Sequence, residues 1–202
     1  IEYDPEGNTT GLIDPLGQRT SMVYKDNQLI SLQDPKLNKT SFSYDSMGNI
    51  EKIISPDGSW EAYLYDSEGK VTTCTDRKGQ TESIQYDNKG RVTRRDFSDN
   101  SWISYSYDTS GNLTLVEDQH GKIQMQYNPR NLLTRITYPD GSFFNYSYDS
   151  AGRCIGRMDH SGYSLQYLYN SAGKLQAVKD GKGRTIVTYE YDTVGRITKE
   201  TK

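Results

Sequence analysis

The stretch SYDSMGNI spans residues 43–50, and nearly the same words return as SYDTSGNL at 106–113 and SYDSAGRC at 147–154. The shared element is Tyr-Asp, two variable residues, Gly, a polar residue and usually an apolar one. Such internal repetition has to be resolved before any other feature, because a repeat architecture determines the whole fold.

Aligned on its tyrosine, this element occurs ten times at spacings of 20 to 22 residues. The copies fill the chain, so we interpret residues 1–202 as a single array of repeats, cut from a longer chain, with no separate domain left over. The repeat tyrosines are Tyr3, Tyr24, Tyr44, Tyr65, Tyr86, Tyr107, Tyr127, Tyr148, Tyr169 and Tyr191.

Two further positions, four and fourteen residues after the tyrosine, are nearly always Gly or Asn. Both residues tolerate positive φ angles, and an Asp or Ser three residues earlier is typical of a type I turn closed by a left-handed residue. We therefore predict turns that need positive φ at Asn38, Asn100 and Asn131 and at 15 of the 18 glycines, with Gln28 as the misfit. The turn glycines are Gly7, Gly17, Gly48, Gly58, Gly69, Gly79, Gly90, Gly111, Gly121, Gly141, Gly152, Gly162, Gly173, Gly183 and Gly195.

Two turns per repeat leave two strands of about six residues, so each repeat is predicted to be a β-hairpin. The residue two before each tyrosine is apolar or aromatic and the one between is usually polar, which is the alternation of a strand with one apolar face. About ten such hairpins predict an all-β protein with a curled or spiral antiparallel sheet, since sheets twist with one hand and rarely stay open beyond ~10 strands.

The composition supports a folded β-protein and disfavours several classes of partner. Only 33% of residues are hydrophobic, but 17 are Tyr and the net charge is −3, unlike the aromatic-poor, highly charged composition of disordered chains. The sequence contains no basic stripe of the kind that binds nucleic acid. It also contains no run of 18 apolar residues that could span a membrane.

Few residues suggest catalysis or metal binding, and we predict no enzyme activity, no metal site and no cofactor. His120 and His160 fall in turn positions without a partnered nucleophile, and Cys74 and Cys154 occupy non-equivalent positions that favour apolar thiols over a disulfide. The Asp residues lack the alternating ligands of a calcium loop and are better explained as caps of their own turns.

One cluster departs from the repeat and is our candidate ligand patch. Tyr138, Phe143, Phe144 and Tyr163 are aromatic residues outside the repeat positions. Regularly recurring rings are expected to build the repeat core, so a binding site requires a local departure of this kind.

The recurring Tyr-Asp-x-x-Gly-Arg/Asn/Lys-Leu/Ile/Val element, seen in YDSMGNI, YDSEGKV, YDNKGRV and YDTSGNL, closely resembles the RHS/YD-repeat family over residues 1–202. Members of that family wind β-hairpins into a hollow shell, which encloses a C-terminal toxin in bacterial toxin complexes and belongs to an adhesion receptor in teneurins. The resemblance implies that this chain is an arc of such a shell, secreted or at the cell surface. The family's self-cleaving segment has no counterpart here.

Two functions remain open at this stage. The first is a non-catalytic wall segment whose partners are further YD repeats and a C-terminal cargo domain of the parent chain. The second is a binding or adhesion module that recognises glycans or a surface protein, for which the 138–163 patch is the place to look.

Overall fold

Twenty β-strands and no helix make up the computed structural model, which describes residues 1–202, so the predicted all-β fold of tandem hairpins is confirmed. No helical segment long and apolar enough to traverse a lipid bilayer occurs in the chain. The strands are β1 Glu2–Tyr3, β2 Thr9–Ile13, β3 Arg19–Lys25, β4 Gln28–Gln33, β5 Lys39–Tyr44, β6 Ile50–Ile54, β7 Trp60–Tyr65, β8 Val71–Thr75, β9 Thr81–Tyr86, β10 Val92–Phe97, β11 Trp102–Tyr107, β12 Leu113–Asp118, β13 Gly121–Tyr127, β14 Leu133–Thr137, β15 Phe143–Tyr148, β16 Cys154–Asp159, β17 Ser164–Tyr169, β18 Leu175–Asp180, β19 Thr185–Tyr191 and β20 Ile197–Thr201.

The chain divides into two compact units, Ile1–Trp102 and Ile103–Lys202. In the first unit each strand from β1 to β10 pairs antiparallel with its successor. In the second unit the same holds from β11 to β20. Each unit is therefore an antiparallel meander of hairpins.

The turns have the geometry that their sequences require. At 45–48, for example, the Gly48 amide donates to the Asp45 carbonyl (3.1 Å) and the Asp45 amide donates to the Asn49 carbonyl (2.9 Å). Fourteen of the fifteen turn glycines have φ between 76° and 93°, and Asn100 and Asn131 have φ of 65° and 60°. A type I turn followed by a left-handed residue therefore closes nearly every hairpin.

The two repeats that are only 20 residues long each contain one shortened turn. Asp26 and Asn27 (φ 52° and 61°) form a two-residue loop between the paired Lys25 and Gln28. In the other short repeat, Asp118 pairs directly with Gly121, whose φ is positive, as predicted, but at 148° is larger than that of the other turn glycines. Each deletion thus removes one loop residue and leaves the strands intact.

The first of these deletions corrects one prediction. The left-handed residue of the following turn is Leu37 (φ 67°), and not Asn38, because the shortened loop moves the rest of the repeat one position earlier. Leu37 now occupies the place that glycine has in the other turns, and its amide donates to the Asp34 carbonyl at 3.0 Å.

The two faces of the sheet carry different side chains. The face that holds the repeat tyrosines, called the tyrosine face below, also holds the apolar residue two positions earlier and its cross-strand partner, as with Phe42 and Ile53 beside Tyr44. The other face, called the opposite face, carries mostly small and polar residues such as Ser43, paired with Lys52. The strand pairing shifts register next to every repeat tyrosine, so each hairpin contains a β-bulge beside its tyrosine.

Neither face is covered by a second layer within this chain. No large side chain is fully buried, and the only buried residues are Gly11, Ser31, Ala177, Asp180 and Val187. Cys74 and Cys154 are free and half-buried, and burial raises the pKa of the Cys74 thiol. The core consists of columns of half-buried side chains on one face of the sheet. Contacts between neighbouring repeats must therefore supply the stability.

Candidate functional site: the contacts between successive repeats

Seven of the ten repeat tyrosines connect their repeat to the one before it. A tyrosine hydroxyl donates a hydrogen bond to a backbone carbonyl five or six residues after the preceding repeat tyrosine. These bonds run from Tyr44 to Leu29 (2.9 Å), Tyr65 to Ile50 (2.7 Å), Tyr86 to Val71 (2.7 Å), Tyr127 to Leu113 (2.9 Å), Tyr148 to Leu133 (2.7 Å), Tyr169 to Cys154 (2.7 Å) and Tyr191 to Leu175 (2.6 Å). We call this series the hydroxyl ladder.

The ladder gives the tyrosines a role that the sequence analysis missed, since the rings were interpreted only as core. Burial raises the pKa of Tyr65, Tyr127, Tyr148 and Tyr169, so these hydroxyls stay protonated donors. The signal in the sequence is that all ten positions are Tyr, although the chain uses Phe at neighbouring core positions such as Phe42.

The Asp or Asn that follows nine of the ten repeat tyrosines caps its own turn, as the sequence predicts for Asp. In the 87–91 turn, Asp87 Oδ1 accepts the amides of Lys89 (2.9 Å) and Arg91 (3.0 Å), and Oδ2 accepts Arg91 Nε (2.8 Å). The Arg91 side chain and these amides lower the pKa of Asp87 to about 2. The carboxylate is committed to the turn, which leaves little capacity for a metal ion.

The residue after the turn glycine, five positions after the tyrosine, reaches into the next repeat. Lys174 Nζ donates to the Gly195 carbonyl (2.7 Å) and lies 5.2 Å from the centroid of the Tyr191 ring. Arg153 lies 4.8 Å above the Tyr169 ring in the same way. Two of the asparagines at this position donate to an asparagine in the first turn of the next repeat: Asn112 Nδ2 to Asn131 Oδ1 (2.9 Å) and Asn8 Nδ2 to Asn27 Oδ1 (3.0 Å).

The aromatic patch of residues 138–163 is divided by the sheet. Phe143 and Phe144 are consecutive in β15, so their rings lie on opposite faces. Phe144 packs edge-to-face against Tyr138 (6.3 Å) on the tyrosine face, whereas Phe143 lies beneath the Arg135 guanidinium (3.7 Å) and near His160 (6.5 Å). Tyr163 is exposed at the following turn, with no ring contact. The four residues therefore do not form a single surface.

The remaining candidates do not converge on one another. His120 and His160 lie in turns, and only His160 has an aromatic contact. No group of three metal-ligating side chains is present. The organised chemistry of the molecule lies in the contacts between repeats.

Tandem hairpins whose recurring Asp caps its own turn, and whose Tyr and basic or Asn residues contact neighbouring repeats, define a repeat-built β-sheet wall. The chain belongs to the teneurin YD-shell family, whose sequence profile matches residues 16–202.

Relatives and solved structures agree with this assignment. The probable deoxyribonuclease RhsB of Dickeya dadantii (strain 3937) is 39% identical over 67 residues, which are 32% of this chain and 5% of that protein. The structure of TcdB2-TccC3 without its hypervariable C-terminal region aligns with 97% of this chain at a TM-score of 0.62 and 12% identity. The mutant Tc holotoxin pore of Photorhabdus luminescens aligns with 91% at 0.56 and 13%. This chain spans only 12% and 13% of those two chains, and the likeness shows the fold alone.

Proposed function

We propose that this chain is a structural segment of a YD shell whose wall encloses a C-terminal polypeptide of its own parent chain. The proposal places the parent outside the cell or on its surface, where relatives of this type act. The segment contributes no turnover, and any nuclease activity of an RhsB-like parent resides elsewhere in that parent.

The proposal rests on the hydrogen-bond partners of the motif side chains. The tyrosine hydroxyls, the turn aspartates and the residue after the glycine bond within their own repeat or to a neighbouring repeat. A motif that recurs for catalysis or ligand binding leaves its polar groups available to a ligand, whereas a motif that recurs for assembly uses them between copies. One solved relative is named for its hypervariable C-terminal region, and a variable cargo behind a constant wall is consistent with that name.

The test is made on the native parent protein. Intact mass and C-terminal sequence from mass spectrometry, combined with limited proteolysis, are expected to show a C-terminal domain that resists protease until the shell is unfolded. A parent whose repeats are followed by no further domain, or whose C-terminal domain is digested at the rate of the free domain, contradicts enclosure.

A binding or adhesion role is the second candidate. The opposite face favours it, because that face presents exposed apolar side chains at Val23, Ile54, Trp60 and Leu64. Exposed apolar surface of this kind marks interaction sites in soluble proteins. The role predicts affinity of the isolated chain for a ligand, which the shell role does not require.

A further inference from the structure

One column of side chains on the tyrosine face is interrupted by charged residues. The column, called the partner column below, contains the residues that pair across each hairpin with the side chain two positions before the repeat tyrosine. Six of its members are apolar, namely Leu32, Ile53, Cys74, Val116, Ile136 and Val178. Three are charged, namely Arg95, Arg157 and Glu200. These three positions depart from the repeat, and a binding site requires a local departure of this kind.

Two of the three charges are paired within the chain. Arg95 Nη1 lies 2.7 Å from Glu82 Oε1, and Glu200 Oε1 lies 3.1 Å from Lys202 Nζ. In the hairpin of Arg157, the place that Glu82 has beside Arg95 is taken by Phe144, four residues before the repeat tyrosine in both cases. Arg157 therefore lies 4.9 Å from the Phe144 ring centroid and has no carboxylate partner there.

Arg157 is exceptional among the eleven arginines of the chain, because its side chain forms neither a hydrogen bond nor an ion pair. The other ten each bond at least one acceptor. Asp159 follows two residues later on the same face, but its carboxylate is used in its own turn, where Oδ1 accepts the amides of Ser161 (2.9 Å) and Tyr163 (3.0 Å). The half-buried Arg157 guanidinium thus keeps all of its donors available.

The polar groups beside Arg157 are donors as well. Tyr146 pairs with Arg157 across the hairpin, and Leu165 pairs with it on the other side, two residues before Tyr167. The hydroxyls of Tyr146 and Tyr167 form no hydrogen bond, unlike those of the hydroxyl ladder. Burial raises the pKa of Tyr146 in spite of the opposing Arg157 charge, so this phenol stays protonated. A guanidinium and two phenols without a bonded acceptor form a site for an anion.

The charge and the apolar surroundings of this site narrow the class of partner. A guanidinium binds a carboxylate through two parallel hydrogen bonds, and the single cation matches the single charge of a carboxylate better than the double charge of a phosphate. The flanking residues Ile136, Leu165 and Val178 are apolar, so a partner that reaches Arg157 must also cover apolar side chains. Folded proteins bury most of their large apolar side chains, whereas an extended segment presents them beside an acidic residue.

We propose that Arg157, with the hydroxyls of Tyr146 and Tyr167, binds the carboxylate of an acidic residue in an extended and otherwise apolar polypeptide segment that lies on the tyrosine face. This inference rests on the proposed function, since the segment belongs to the polypeptide that the wall encloses. The tyrosine face is then the inner face of the wall, and the largely polar opposite face is the outer one.

A valine at this position separates binding from folding. R157V recreates the pairs that Tyr105 forms with Val116 and Tyr167 with Val178, so it is expected to fold. Its urea midpoint is expected to be no lower than that of the unaltered chain, because Arg157 gives the sheet no hydrogen bond or ion pair that valine would remove. M158A is the matched control, because Met158 is the next residue in the strand and lies on the opposite face.

The test is fluorescence anisotropy of the 202-residue protein with a labelled, blocked peptide in which one glutamate lies between two leucine pairs, and with its glutamine counterpart. The glutamate peptide is expected to bind at least ~10-fold more tightly, which is about 1.4 kcal/mol. R157V is expected to bind the two peptides alike, and M158A to keep the full preference. Y146F is expected to reduce the preference by a smaller factor. Neither inorganic phosphate nor N-acetylglutamate amide, a carboxylate without apolar flanks, is expected to displace the peptide.

Four results overturn the proposal: equal affinity for the two peptides, an undiminished preference in R157V, a lower urea midpoint in R157V, or displacement of the peptide by phosphate or by N-acetylglutamate amide. The lower midpoint would assign Arg157 to the stability of the sheet, and the displacement would assign the site to small anions. These failures leave enclosure intact, because enclosure is tested by protease protection in the parent protein. Conversely, a parent without a C-terminal domain contradicts enclosure and leaves the peptide preference of this chain as measured.

Discussion

The two turn-bearing edges of the sheet are built differently. At the first-turn edge, a side chain of one repeat covers the turn glycine of the next: a Cβ at Gly90 would lie 2.9 Å from Lys70 Cε, and a Cβ at Gly152 would lie 3.2 Å from Arg130 Nη2. At the second-turn edge, no atom lies within 4 Å of a Cβ built at any of the glycines Gly17, Gly58, Gly79, Gly141, Gly162 and Gly183.

The hydroxyl ladder lies near the first-turn edge, because every repeat tyrosine immediately precedes a first turn. Successive repeats are therefore fastened along one edge by hydroxyls, basic side chains and asparagines. Among the second-turn glycines only Gly121 is close to the next repeat, since a Cβ there would lie 2.6 Å from Pro139 Cβ. Local openings of a protein begin where such contacts are few. The recurring motif therefore describes the fastened edge, whereas the second turns chiefly reverse the chain.

The largest effect on stability is expected at high pH, where the tyrosine hydroxyls of the ladder lose their protons and can no longer donate hydrogen bonds. The folded chain holds the pKa of Tyr65, Tyr127, Tyr148 and Tyr169 above the usual value of 10.0. The stability that these phenols contribute is present in full below about pH 10, where phenols of the unfolded chain begin to ionise, and is lost as pH rises through the higher folded pKa values. We expect cooperative unfolding above pH 10.

The measurement is urea unfolding followed by circular dichroism across this pH range, with phenolate absorbance recorded in parallel. Amide hydrogen exchange should show the first-turn edge losing its protection together with ionisation. If the tyrosines ionise at pH 10 and the free energy of unfolding does not fall, the ladder does not fasten the repeats.

Glycine substitution compares the two edges directly. Gly90 and Gly79 have nearly equal φ angles, 76° and 77°, so an alanine at either site suffers the same backbone strain of about 1–2 kcal/mol. G90A must also displace Lys70, which lies 5.9 Å from the Tyr86 ring centroid. We expect G90A to be more destabilising than G79A in urea denaturation, and equal losses would remove the distinction between the edges.

Tyr148 and Tyr146 offer a matched pair for a single rung of the ladder. Both lie on β15 and on the tyrosine face, but only the Tyr148 hydroxyl has an acceptor, the Leu133 carbonyl at 2.7 Å. Y148F should cost about 0.5–1.5 kcal/mol of unfolding free energy, and Y146F close to none. Equal values for the two variants in chemical denaturation would show that the rings alone hold the repeats together.

Much of this architecture could be predicted from the sequence because its determinants are local. Glycine or asparagine at four and fourteen residues after nearly every repeat tyrosine identifies the turns, since few other residues adopt positive φ. The hydroxyl ladder could not be predicted, because each acceptor is a carbonyl whose position depends on strand register and on the bulge beside the tyrosine, as with Leu133 opposite Tyr127. The placement of the aromatic patch also depends on the strand, because consecutive residues such as Phe143 and Phe144 point to opposite faces of the sheet.

The smallest effect is expected at Leu37, and it has the opposite sign. This residue holds a left-handed conformation (φ 67°) at the second-turn edge while its side chain is 75% exposed, so it bears backbone strain with little packing in return. L37G removes strain of about 1–2 kcal/mol but adds flexibility to the unfolded chain, which leaves a net gain of roughly 0.5–1 kcal/mol. The Gln33 side chain, which donates to the Leu37 carbonyl (3.2 Å), is undisturbed by the change. An increase in the urea midpoint at constant slope is the expected result. A decrease would mean that the exposed leucine makes contacts that outweigh its strain, and that the second-turn edge is fastened in its own way.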